Sequence, residues 1–220
     1  MNGFRRTIPQ GNGLTYSEYG WWEKWNDDKF LQQIFSEIDG NTVVDEPRTY
    51  NLAELMRHAG RVEGQVAELG VFRGGTARLA ARLLSHKTIH LFDTFQGLPE
   101  PDPSKDMMTK GELKADLAQV EKFLSDLNNV KIYPGLFPET AADLHDEKFC
   151  FVHVDADIYQ SVKDACEFFY PRLNKGGIMV FDDYGFYGTH GAKIAVDEFL
   201  TNKEEYPIYS ISHHCFIIKI

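Results

Sequence analysis

Residues 68–75 read Glu68-Leu-Gly-Val-Phe-Arg-Gly-Gly75 and decide the class of fold. The apolar run at residues 65–69 predicts a short strand, and the apolar spacing along residues 75–84 predicts a helix after it. Gly70 permits a tight turn between the two, and the closing glycine pair permits close approach of another group to the backbone. Amides at the start of a helix can hold an anion. The segment is therefore predicted to be a strand–turn–helix unit, and on this segment alone its glycines either serve the turn only or hold a ligand there.

The same alternation of strand and helix continues along the chain. It predicts an α/β, Rossmann-like fold with a mostly parallel central sheet, helices on both faces and a C-terminal antiparallel hairpin. The further strands are predicted at residues 88–92, 130–133, 149–154 and 178–181, with the hairpin at 208–211 and 215–220. The further helices are predicted at residues 52–58, 113–127, 161–170 and 191–200.

Composition and charge narrow the classes of partner. The 220 residues suit one α/β domain, and 43% hydrophobic with 25% charged residues is ordinary for a globular protein. A formal net charge of -10 disfavours nucleic acid and anionic membranes, which both reward clustered Lys and Arg. No apolar run approaches the length that spans a bilayer, and none follows Arg5 and Arg6 as in a signal peptide. We therefore expect no nucleic-acid partner and no membrane partner.

The cysteines indicate a reducing compartment. Cys150, Cys166 and Cys215 each lie in an apolar segment, and none forms a C-x-x-C pair. Such residues are typical of buried free thiols. A cytoplasmic protein is expected.

An acidic residue follows the second predicted strand. Asp93 lies about twenty residues past the glycine turn, where a carboxylate accepts hydrogen bonds from ribose hydroxyls. Together the turn and Asp93 indicate a ligand that contains adenosine. The glycine spacing is not G-x-G-x-x-G, which weakens the case for a nicotinamide dinucleotide.

Four carboxylates follow two later strands: Asp155 and Asp157 after one, Asp182 and Asp183 after the other. The carboxyl ends of parallel strands meet at one edge of a sheet, so these side chains are expected to converge. Uncompensated like charges would repel and raise their own pKa values. A divalent cation resolves the conflict, and oxygen ligands suit Mg²⁺, or Mn²⁺ in its place. The alternative, a set of loop caps and salt bridges to Lys193 or Arg172, stays open on this pattern alone.

Several segments in order resemble the macrocin O-methyltransferase family, which includes enzymes that methylate sugar hydroxyls of macrolide and aminocoumarin antibiotics. They span residues 47–200 and are Ala67-Glu-Leu-Gly-Val-Phe-Arg-Gly-Gly-Thr76, Leu91-Phe-Asp-Thr-Phe-Gln-Gly-Leu-Pro99, Tyr133-Pro-Gly-Leu-Phe137, His153-Val-Asp-Ala-Asp-Ile-Tyr159, Gly176-Gly-Ile-Met-Val-Phe-Asp-Asp-Tyr-Gly185 and Gly191-Ala-Lys-Ile-Ala-Val-Asp-Glu-Phe199.

The resemblance implies a class I methyltransferase that uses S-adenosylmethionine and a divalent cation. It carries metal ligation onto Asp155, Asp182 and Asp183, and the role of general base onto Asp157. The cofactor-binding residues that it implies are Glu68, Gly70, Phe72, Arg73, Gly74, Thr76, Asp93, Thr94, Gly135, Phe137 and Asp155.

The expected reaction is an in-line methyl transfer to a hydroxyl of a small-molecule acceptor, with a sugar hydroxyl of a secondary metabolite as the family expectation. The cation would lower the pKa of the hydroxyl, and Asp157 would take the proton. One alternative is a nicotinamide-dependent oxidoreductase, which gives no reason for four clustered aspartates. Another is a non-catalytic S-adenosylmethionine-binding module, against which the intact acidic set argues.

The N-terminal residues differ from the rest. Residues 1–46 are predicted to be an arm beside a methyltransferase domain at residues 47–220, because an aromatic, polar stretch precedes one short amphipathic helix. The arm either packs on the domain or acts as a lid over a substrate pocket, and its aromatic residues leave contact with a second copy of the chain open. The stretch contains Tyr16, Tyr19, Trp21, Trp22 and Trp25, and the helix contains Phe30, Leu31, Ile34, Phe35 and Ile38.

Some polar residues remain ambiguous. The loop at residues 102–111, with Met107 and Met108, is expected to close over the cofactor, with a mobile surface loop as the alternative. His153 is predicted to be a satisfied core histidine, whereas His213 and His214 are predicted to be turn residues. A place in the substrate pocket is left open for Tyr159, Tyr184 and His190.

Overall fold

The computed structural model describes residues 8–9, 15–16 and 24–220; Tyr19, Trp21 and Trp22 of the predicted arm lie outside this part. The strands are β1 (Ile8–Pro9), β2 (Thr15–Tyr16), β3 (Gln65–Leu69), β4 (Ile89–Asp93), β5 (Val130–Pro134), β6 (Phe149–Val154), β7 (Leu173–Phe181), β8 (Ile208–Tyr209) and β9 (Cys215–Ile218). The α-helices are α1 (Lys29–Ile38), α2 (Glu46–Ala59), α3 (Gly75–Leu83), α4 (Leu117–Leu124), α5 (Tyr159–Phe169) and α6 (His190–Leu200). Short 3-10 helices lie at Lys24–Asp27, Glu139–Leu144, Tyr170–Arg172, Asp182–Gly185 and Tyr187–Thr189.

Seven strands form one sheet in the order β5-β4-β3-β6-β7-β9-β8, while β1 and β2 form a separate antiparallel pair. The strands from β5 to β7 are parallel to one another, and β9 is antiparallel to both β7 and β8. The predicted parallel sheet with a C-terminal hairpin is confirmed. Strands β4 and β5 lie on one side of β3, and β6 and β7 lie on the other. The strand order therefore reverses between β3 and β6, which is where such sheets bind ligands.

Helices cover both faces of the sheet, as predicted. Neighbouring residues of one strand point to opposite faces, so Val66 packs with α1, α2 and α3, whereas Ala67 packs with α5 and α6. Phe151 and Val152 of β6 divide in the same way. The two clusters of buried residues thus lie on opposite faces of the sheet.

Side-chain caps explain where two helices differ from the predicted bounds. The Asp45 carboxylate accepts a hydrogen bond from the amide of Arg48, so α2 begins at Glu46 rather than at the predicted residue 52. The Asp116 carboxylate caps α4 in the same way, and Leu113 has a φ of 59° that no helix interior allows. The helix predicted at residues 113–127 is therefore shorter, Leu117–Leu124.

The helix of the predicted arm lies in the main core. Leu31, Ile34 and Ile38 of α1 are buried in the same cluster as residues of α2 and α3, and Glu37 pairs with Arg78. The predicted boundary between residues 46 and 47 falls inside the first turn of α2. Helix α1 of the arm therefore packs on the domain, and a role as lid or oligomer contact stays a prediction.

The three cysteines are buried and unpaired, as predicted. Within residues 8–9, 15–16 and 24–220, no helix combines the length and apolar character needed to cross a membrane.

Candidate active site

A cavity of about 330 Å³ opens at the carboxyl ends of β3, β4, β6 and β7. Its floor is formed by the turn after β3 and by the acidic residues after β6 and β7. The site thus lies at the reversal of strand order, where the sequence predicted it. The apolar part of its wall includes Val43, Val44, Leu98, Pro99, Met108, Leu113, Leu136 and Phe186.

The turn after β3 depends on glycine. Gly70 has a φ of +89°, and a Cβ at this position would lie 1.6 Å from the carbonyl oxygen of Asp155. The amide of Gly70 donates to the Phe92 carbonyl at 2.9 Å, and the amide of Asp155 donates to the Leu69 carbonyl at 2.9 Å. These bonds join the ends of β3, β4 and β6, so any other residue at position 70 would push the floor of the cavity apart.

Asp93 holds the turn in shape. Its Oδ2 accepts hydrogen bonds from the amides of Val71 and Phe72 at 2.8 and 2.9 Å, and its Oδ1 accepts one from Phe95 at 2.7 Å. The carboxylate is half-buried and lines the cavity. A carboxylate has about four lone-pair positions, so it retains acceptor capacity for a hydroxyl of a ligand.

The predicted cofactor-binding residues divide into two groups. Gly70, Phe72, Asp93, Thr94, Gly135, Phe137 and Asp155 line the cavity. Glu68, Arg73, Gly74 and Thr76 do not line it.

The amides of Gly74 and Gly75 are engaged elsewhere, so these two do not serve as the anion site expected at the start of α3. The amide of Gly74 donates to the Val71 carbonyl at 2.8 Å, and the amide of Gly75 donates to the Asn41 carbonyl at 3.0 Å. The guanidinium of Arg73 lies over the Phe72 ring and donates to the Gly40 carbonyl. The loop between α1 and α2 therefore covers the start of α3, a contact that the motif alone did not reveal.

Asp157 has a strained backbone. Its φ is 59°, in the left-handed region, and its amide donates to Asp183 Oδ2 at 2.8 Å. Burial, followed by the charge of Asp182, raises the pKa of Asp157 to about 6. Strained residues cluster at functional sites, and a pKa near neutrality suits a general base.

Asp182 is held from both sides. Nη1 of Arg48 lies 2.5 Å from its Oδ2, and Nε2 of His214 lies 2.6 Å from its Oδ1. Arg48 also stacks on the ring of Phe186, 4.8 Å from the centroid. The acidic cluster therefore does pair with a cation, and it is Arg48 rather than Lys193 or Arg172.

The two residues first considered as partners bind elsewhere. Lys193 pairs with Asp197, and Arg172 donates to the Phe168 carbonyl and contacts His145. The alternative of a salt bridge from one of these two residues to the cluster is therefore not what the described residues show.

His214 is fully buried, so its prediction as a turn residue is wrong. Its Nδ1 lies 2.9 Å from Nδ2 of Asn51, opposite the nitrogen that faces Asp182. His213 does lie in the turn, with a φ of 72°, and contacts the Tyr209 hydroxyl. His214 lies directly before β9, and its contacts with Asn51 of α2 and with Asp182 hold it in the interior.

Charge in the cluster is distributed unevenly. Burial, then the charge of Asp182, raises the pKa of Asp155 well above its usual value, and burial, then the charge of Asp157, does the same for Asp183. Burial alone would also raise the pKa of Asp182, but the adjacent imidazoles of His153 and His214 outweigh it and hold that pKa below its usual range. The expected upward shift thus holds for three of the aspartates and fails at Asp182.

His153 is buried, as predicted, but only half satisfied. Its Nδ1 lies 2.9 Å from Oε1 of Glu68. Its Nε2 has no hydrogen-bond partner in the described part of the chain and lies 3.6 Å from Oδ1 of Asp182. Glu68 therefore supports His153 from behind the cavity.

The other residues left open do not line the cavity. The hydroxyl of Tyr159 donates to Glu198, and that of Tyr184 donates to Asp197. His190 begins α6. Their polar groups serve contacts between helices, and the packing alternative holds for both tyrosines.

Arg48, Asn51 and His214 were not singled out from the sequence as site residues. Arg48 and Asn51 are three positions apart on α2, so they share a face of the helix. That spacing is visible in the sequence, but nothing in it says that this face meets β7 and β9.

Comparison with known families decides among the functional alternatives. The family model described as Macrocin-O-methyltransferase (TylF) matches residues 36–219, which includes every strand of the seven-stranded sheet and the whole cavity. The chain belongs to the macrocin O-methyltransferase family. This match gives no support to the alternative of a nicotinamide-dependent oxidoreductase.

Two O-methyltransferases are similar to this chain over part of their length. The chain is 30% identical to the mycinamicin III 3''-O-methyltransferase of Micromonospora griseorubida, over 66% of this chain and 65% of that protein. It is 30% identical to an 8-demethyl-8-(2,3-dimethoxy-alpha-L-rhamnosyl)-tetracenomycin-C 4'-O-methyltransferase of Streptomyces olivaceus, over 56% of this chain and 54% of that protein. The match thus spans about two thirds of the first relative and about half of the second.

Solved structures share the fold of this macrocin O-methyltransferase family member. The O-methyltransferase NovP superposes with a TM-score of 0.67 at 23% identity, over 81% of this chain and 82% of that chain. The calicheamicin methyltransferase CalS11 superposes with a TM-score of 0.70 at 16% identity, over 99% of each chain. At these identities the likeness establishes the fold alone.

Proposed function

We propose that this protein transfers a methyl group from S-adenosylmethionine to a hydroxyl of a small-molecule acceptor. The observation that carries the proposal is a single cavity whose lining includes both Asp93 with the glycine turn and the four residues Asp155, Asp157, Asp182 and Asp183. Family membership supports the same reaction class.

The cofactor end of the cavity suits an adenosine ligand. Asp93 retains acceptor capacity for ribose hydroxyls, and Gly135 and Phe137 follow β5, where an adenine ring would lie. The aspartate carboxylates that line the cavity favour binding of the positively charged sulfonium of the cofactor. We expect a Kd for S-adenosylhomocysteine in the micromolar range or tighter, about -8 kcal/mol or better.

The acidic end fits a divalent cation. The raised pKa values of Asp155 and Asp183 indicate carboxylates that lack compensating charge, and the buried Nε2 of His153 lacks a partner. Ligand atoms of His153, Asp155 and Asp182 lie within 4.8 Å of one another. Mg²⁺ or Mn²⁺ would be held by Asp155 and Asp182, with Asp183 as the third carboxylate that the family resemblance implies.

A bound cation would supply Lewis-acid chemistry, lowering the pKa of a hydroxyl placed against it. The chain's own residues supply the rest. Asp157 accepts the proton of the acceptor hydroxyl as the oxygen forms its bond to the methyl carbon and the bond from that carbon to sulfur breaks. The apolar wall excludes water and holds the two reactants in line, which is the main catalytic contribution expected for a good leaving group.

The acceptor is expected to carry an apolar body. The cavity wall includes Val43, Met108, Leu113 and Phe186. The two relatives named above act, by their names, on a mycinamicin and on a rhamnosyl tetracenomycin. We therefore propose a glycosylated secondary metabolite as the acceptor class.

One experiment tests the reaction and the cation together. Calorimetry with S-adenosylhomocysteine and with NAD measures which cofactor binds, and mass spectrometry records methylated products from a panel of glycosides. We expect binding of S-adenosylhomocysteine alone, and methyl transfer that EDTA abolishes and Mg²⁺ or Mn²⁺ restores. Full activity in EDTA would remove the cation from the proposal, and binding of NAD instead would overturn the reaction class.

A further inference from the structure

We propose that an apolar surface outside the cavity binds the aglycone of the acceptor and so determines which glycosides this protein selects. The surface consists of Phe186, Tyr187, Tyr209, Ile211 and His213, and we call it the outer rim. The inference rests on the proposed function and deepens it, because it assigns residues to the part of the acceptor that does not react.

Phe186 connects the outer rim to the cavity. Its side chain lines the cavity, and its ring centroid lies 5.6 Å from that of His213. The ring of His213 lies 6.3 Å from that of Tyr209, and its Nδ1 is 2.9 Å from the Tyr209 hydroxyl. One wall of the cavity therefore continues over two further rings onto the C-terminal hairpin.

The register of the hairpin places the outer rim at the same edge of the sheet as the cavity. Cys215, the first residue of β9, pairs with Phe181, the last residue of β7, and with Tyr209 of β8. The turn at residues 210–214 therefore extends past the carboxyl ends of the parallel strands, where the cavity opens.

The loop after β7 and the hairpin turn fit together closely at Gly185. A Cβ at this position would lie 2.7 Å from the Cβ of His213 and 2.7 Å from the Tyr209 hydroxyl. The two segments thus form one continuous surface, and its shape is set by their contact.

The outer residues of the rim are large, apolar and exposed. Tyr187, which follows Phe186, is 84% exposed, Ile211 is 85% exposed and Tyr209 is 54% exposed. Exposed apolar side chains that adjoin one another mark binding surfaces in folded proteins. The rim also offers polar groups at Tyr209 and His213, and a few polar groups within an apolar lining are typical of small-molecule sites.

The size of the cavity requires a surface of this kind. Its volume is about 330 Å³, and pockets that enclose one drug-sized molecule measure about 300–1,000 Å³. S-adenosylmethionine is itself a molecule of that size, so the cavity has room for the cofactor and for the part of the acceptor that carries the hydroxyl. The rest of a glycosylated acceptor must lie outside, and the outer rim is the apolar surface that continues from the cavity wall.

A second copy of the chain is the competing occupant of an apolar surface. The contact of the rim with the cavity through Phe186 favours the acceptor, because a dimer contact does not require continuity with the reaction site. The experiment therefore measures acceptor binding and association of the chain on the same samples.

Paired glycosides test the outer rim directly. Naphthyl and methyl α-L-rhamnosides, and naphthyl and methyl β-D-glucosides, are titrated into the full chain in the presence of S-adenosylhomocysteine, and calorimetry gives each Kd. We expect the naphthyl member of a pair to bind roughly 10–100-fold more tightly, which corresponds to burial of about 60–110 Å² of apolar surface.

Two rim variants have matched controls on the same hairpin. Tyr187→Ser and Ile211→Ser should each reduce the preference for the naphthyl glycoside roughly 3–10-fold, as expected for loss of about 30–50 Å² of apolar contact. Tyr206 is 82% exposed and precedes β8, and Ile220 is 58% exposed and follows β9, so both lie at the end of the hairpin opposite the turn. Tyr206→Ser and Ile220→Ser should keep the parent preference.

Each outcome decides the inference. Equal affinities within a pair, no binding of either member, or equal losses in the rim variants and the controls would overturn it. Sedimentation velocity would overturn it as well, if Tyr187→Ser and Ile211→Ser dissociate a dimer and leave the glycoside preference unchanged. Methyl transfer and the affinity for S-adenosylhomocysteine are measured separately, so failure of the outer rim is distinguishable from failure of the proposed function.

Discussion

Oδ1 of Asp106 accepts a hydrogen bond of 2.8 Å from the amide of Tyr159, the first residue of α5. The α5 N-cap, Ile158, has no side chain that can cap the helix, so Asp106 does so from a distant loop. A Cβ on Gly191 would lie 1.9 Å from the same oxygen, so the loop also fits closely against α6. The loop at residues 102–111 is thereby fastened over the cavity, where Met108 forms part of the wall.

Replacing Asp106 should loosen this loop. We expect Asp106→Ala to weaken binding of S-adenosylhomocysteine by about 1–2 kcal/mol, chiefly through faster dissociation, because one charge-assisted hydrogen bond fastens the loop. Calorimetry and stopped-flow fluorescence measure the two quantities. Asp102→Ala is the control, since Asp102 bonds only within the loop, to Ser104 and Lys105. Equal effects of both variants would contradict a specific role for the bond to α5.

A second prediction concerns Asp93, whose carboxylate has a structural and a binding role. Asp93→Ala leaves the amides of Val71, Phe72 and Phe95 without their acceptor, so the free energy of unfolding should fall by about 1–3 kcal/mol. The affinity for S-adenosylhomocysteine should fall by about 1.5–3 kcal/mol as well. Denaturant unfolding and calorimetry separate the two effects.

Asp116 provides a matched comparison for Asp93. It also accepts two amide hydrogen bonds, but it caps α4 away from the main cavity. Asp116→Ala should lose about 1 kcal/mol of stability and keep full cofactor affinity. If Asp93→Ala likewise binds S-adenosylhomocysteine normally, the ribose is held elsewhere.

The fold could be predicted from the sequence because its signals are local. The runs at residues 65–69 and 149–154 are short, apolar and bounded, and both became strands at those residues. The helix predicted at 113–127 begins only at Leu117. The apolar spacing extends back to residue 113, but the positive φ of Leu113 and the cap at Asp116 prevent a helix there. A cap or a positive φ is set by two or three residues, whereas apolar periodicity is visible only over a longer window and so does not reveal them.

The candidate site was only partly predictable. Strand ends bring Asp93, Asp155 and Asp182 together, and strand ends are visible in the sequence. The position of Arg48 and His214 beside Asp182 depends on how α2 and the C-terminal hairpin pack, which requires contacts between distant parts of the chain. The hydrogen bond from the amide of Gly75 to the carbonyl of Asn41 could not be predicted for the same reason, because the two residues are far apart in the sequence.

A third prediction concerns acid stability. Burial would raise the pKa of Glu205, but hydrogen bonds from Lys219 and Tyr170 outweigh it and hold the pKa at about 2. The folded pKa lies below the unfolded value near 4.5, so this stabilisation is full above about pH 4.5 and is lost as the pH falls towards 2. The side chain is 1% exposed, so screening by water is slight.

Glu205→Gln should therefore lower the free energy of unfolding by about 3 kcal/mol at pH 7, and by much less near pH 3. Denaturant unfolding at both values measures the difference. The neighbouring Glu204 is exposed, and Glu204→Gln should change little at either pH. A loss in Glu205→Gln that does not depend on pH would indicate that packing, and not charge, holds Lys219 in place.

The last prediction separates the proposed base from the groups that hold the cation. Asp157 has a φ of 59°, and asparagine is among the residues that adopt this region most readily, so Asp157→Asn should keep both the backbone and the amide bond to Asp183. An amide cannot take a proton, so turnover should fall roughly 10²–10⁴-fold while binding of S-adenosylhomocysteine and Mn²⁺ persists. Added Mg²⁺ or Mn²⁺ should not restore it. In the parent protein, turnover should decline as the pH falls and Asp157 becomes protonated, because the protonated form cannot act as a base. The pKa of Asp157 is about 6 without a cation, and the positive charge of a bound cation would move this decline to lower pH. Asp157→Asn should lose this dependence of turnover on pH.

Asp182→Ala should behave in the opposite way, with weaker Mn²⁺ binding and partial recovery of turnover at high Mg²⁺ or Mn²⁺ concentration. Normal turnover by Asp157→Asn would assign the proton to another group, with the remaining carboxylates of the cluster as the next candidates.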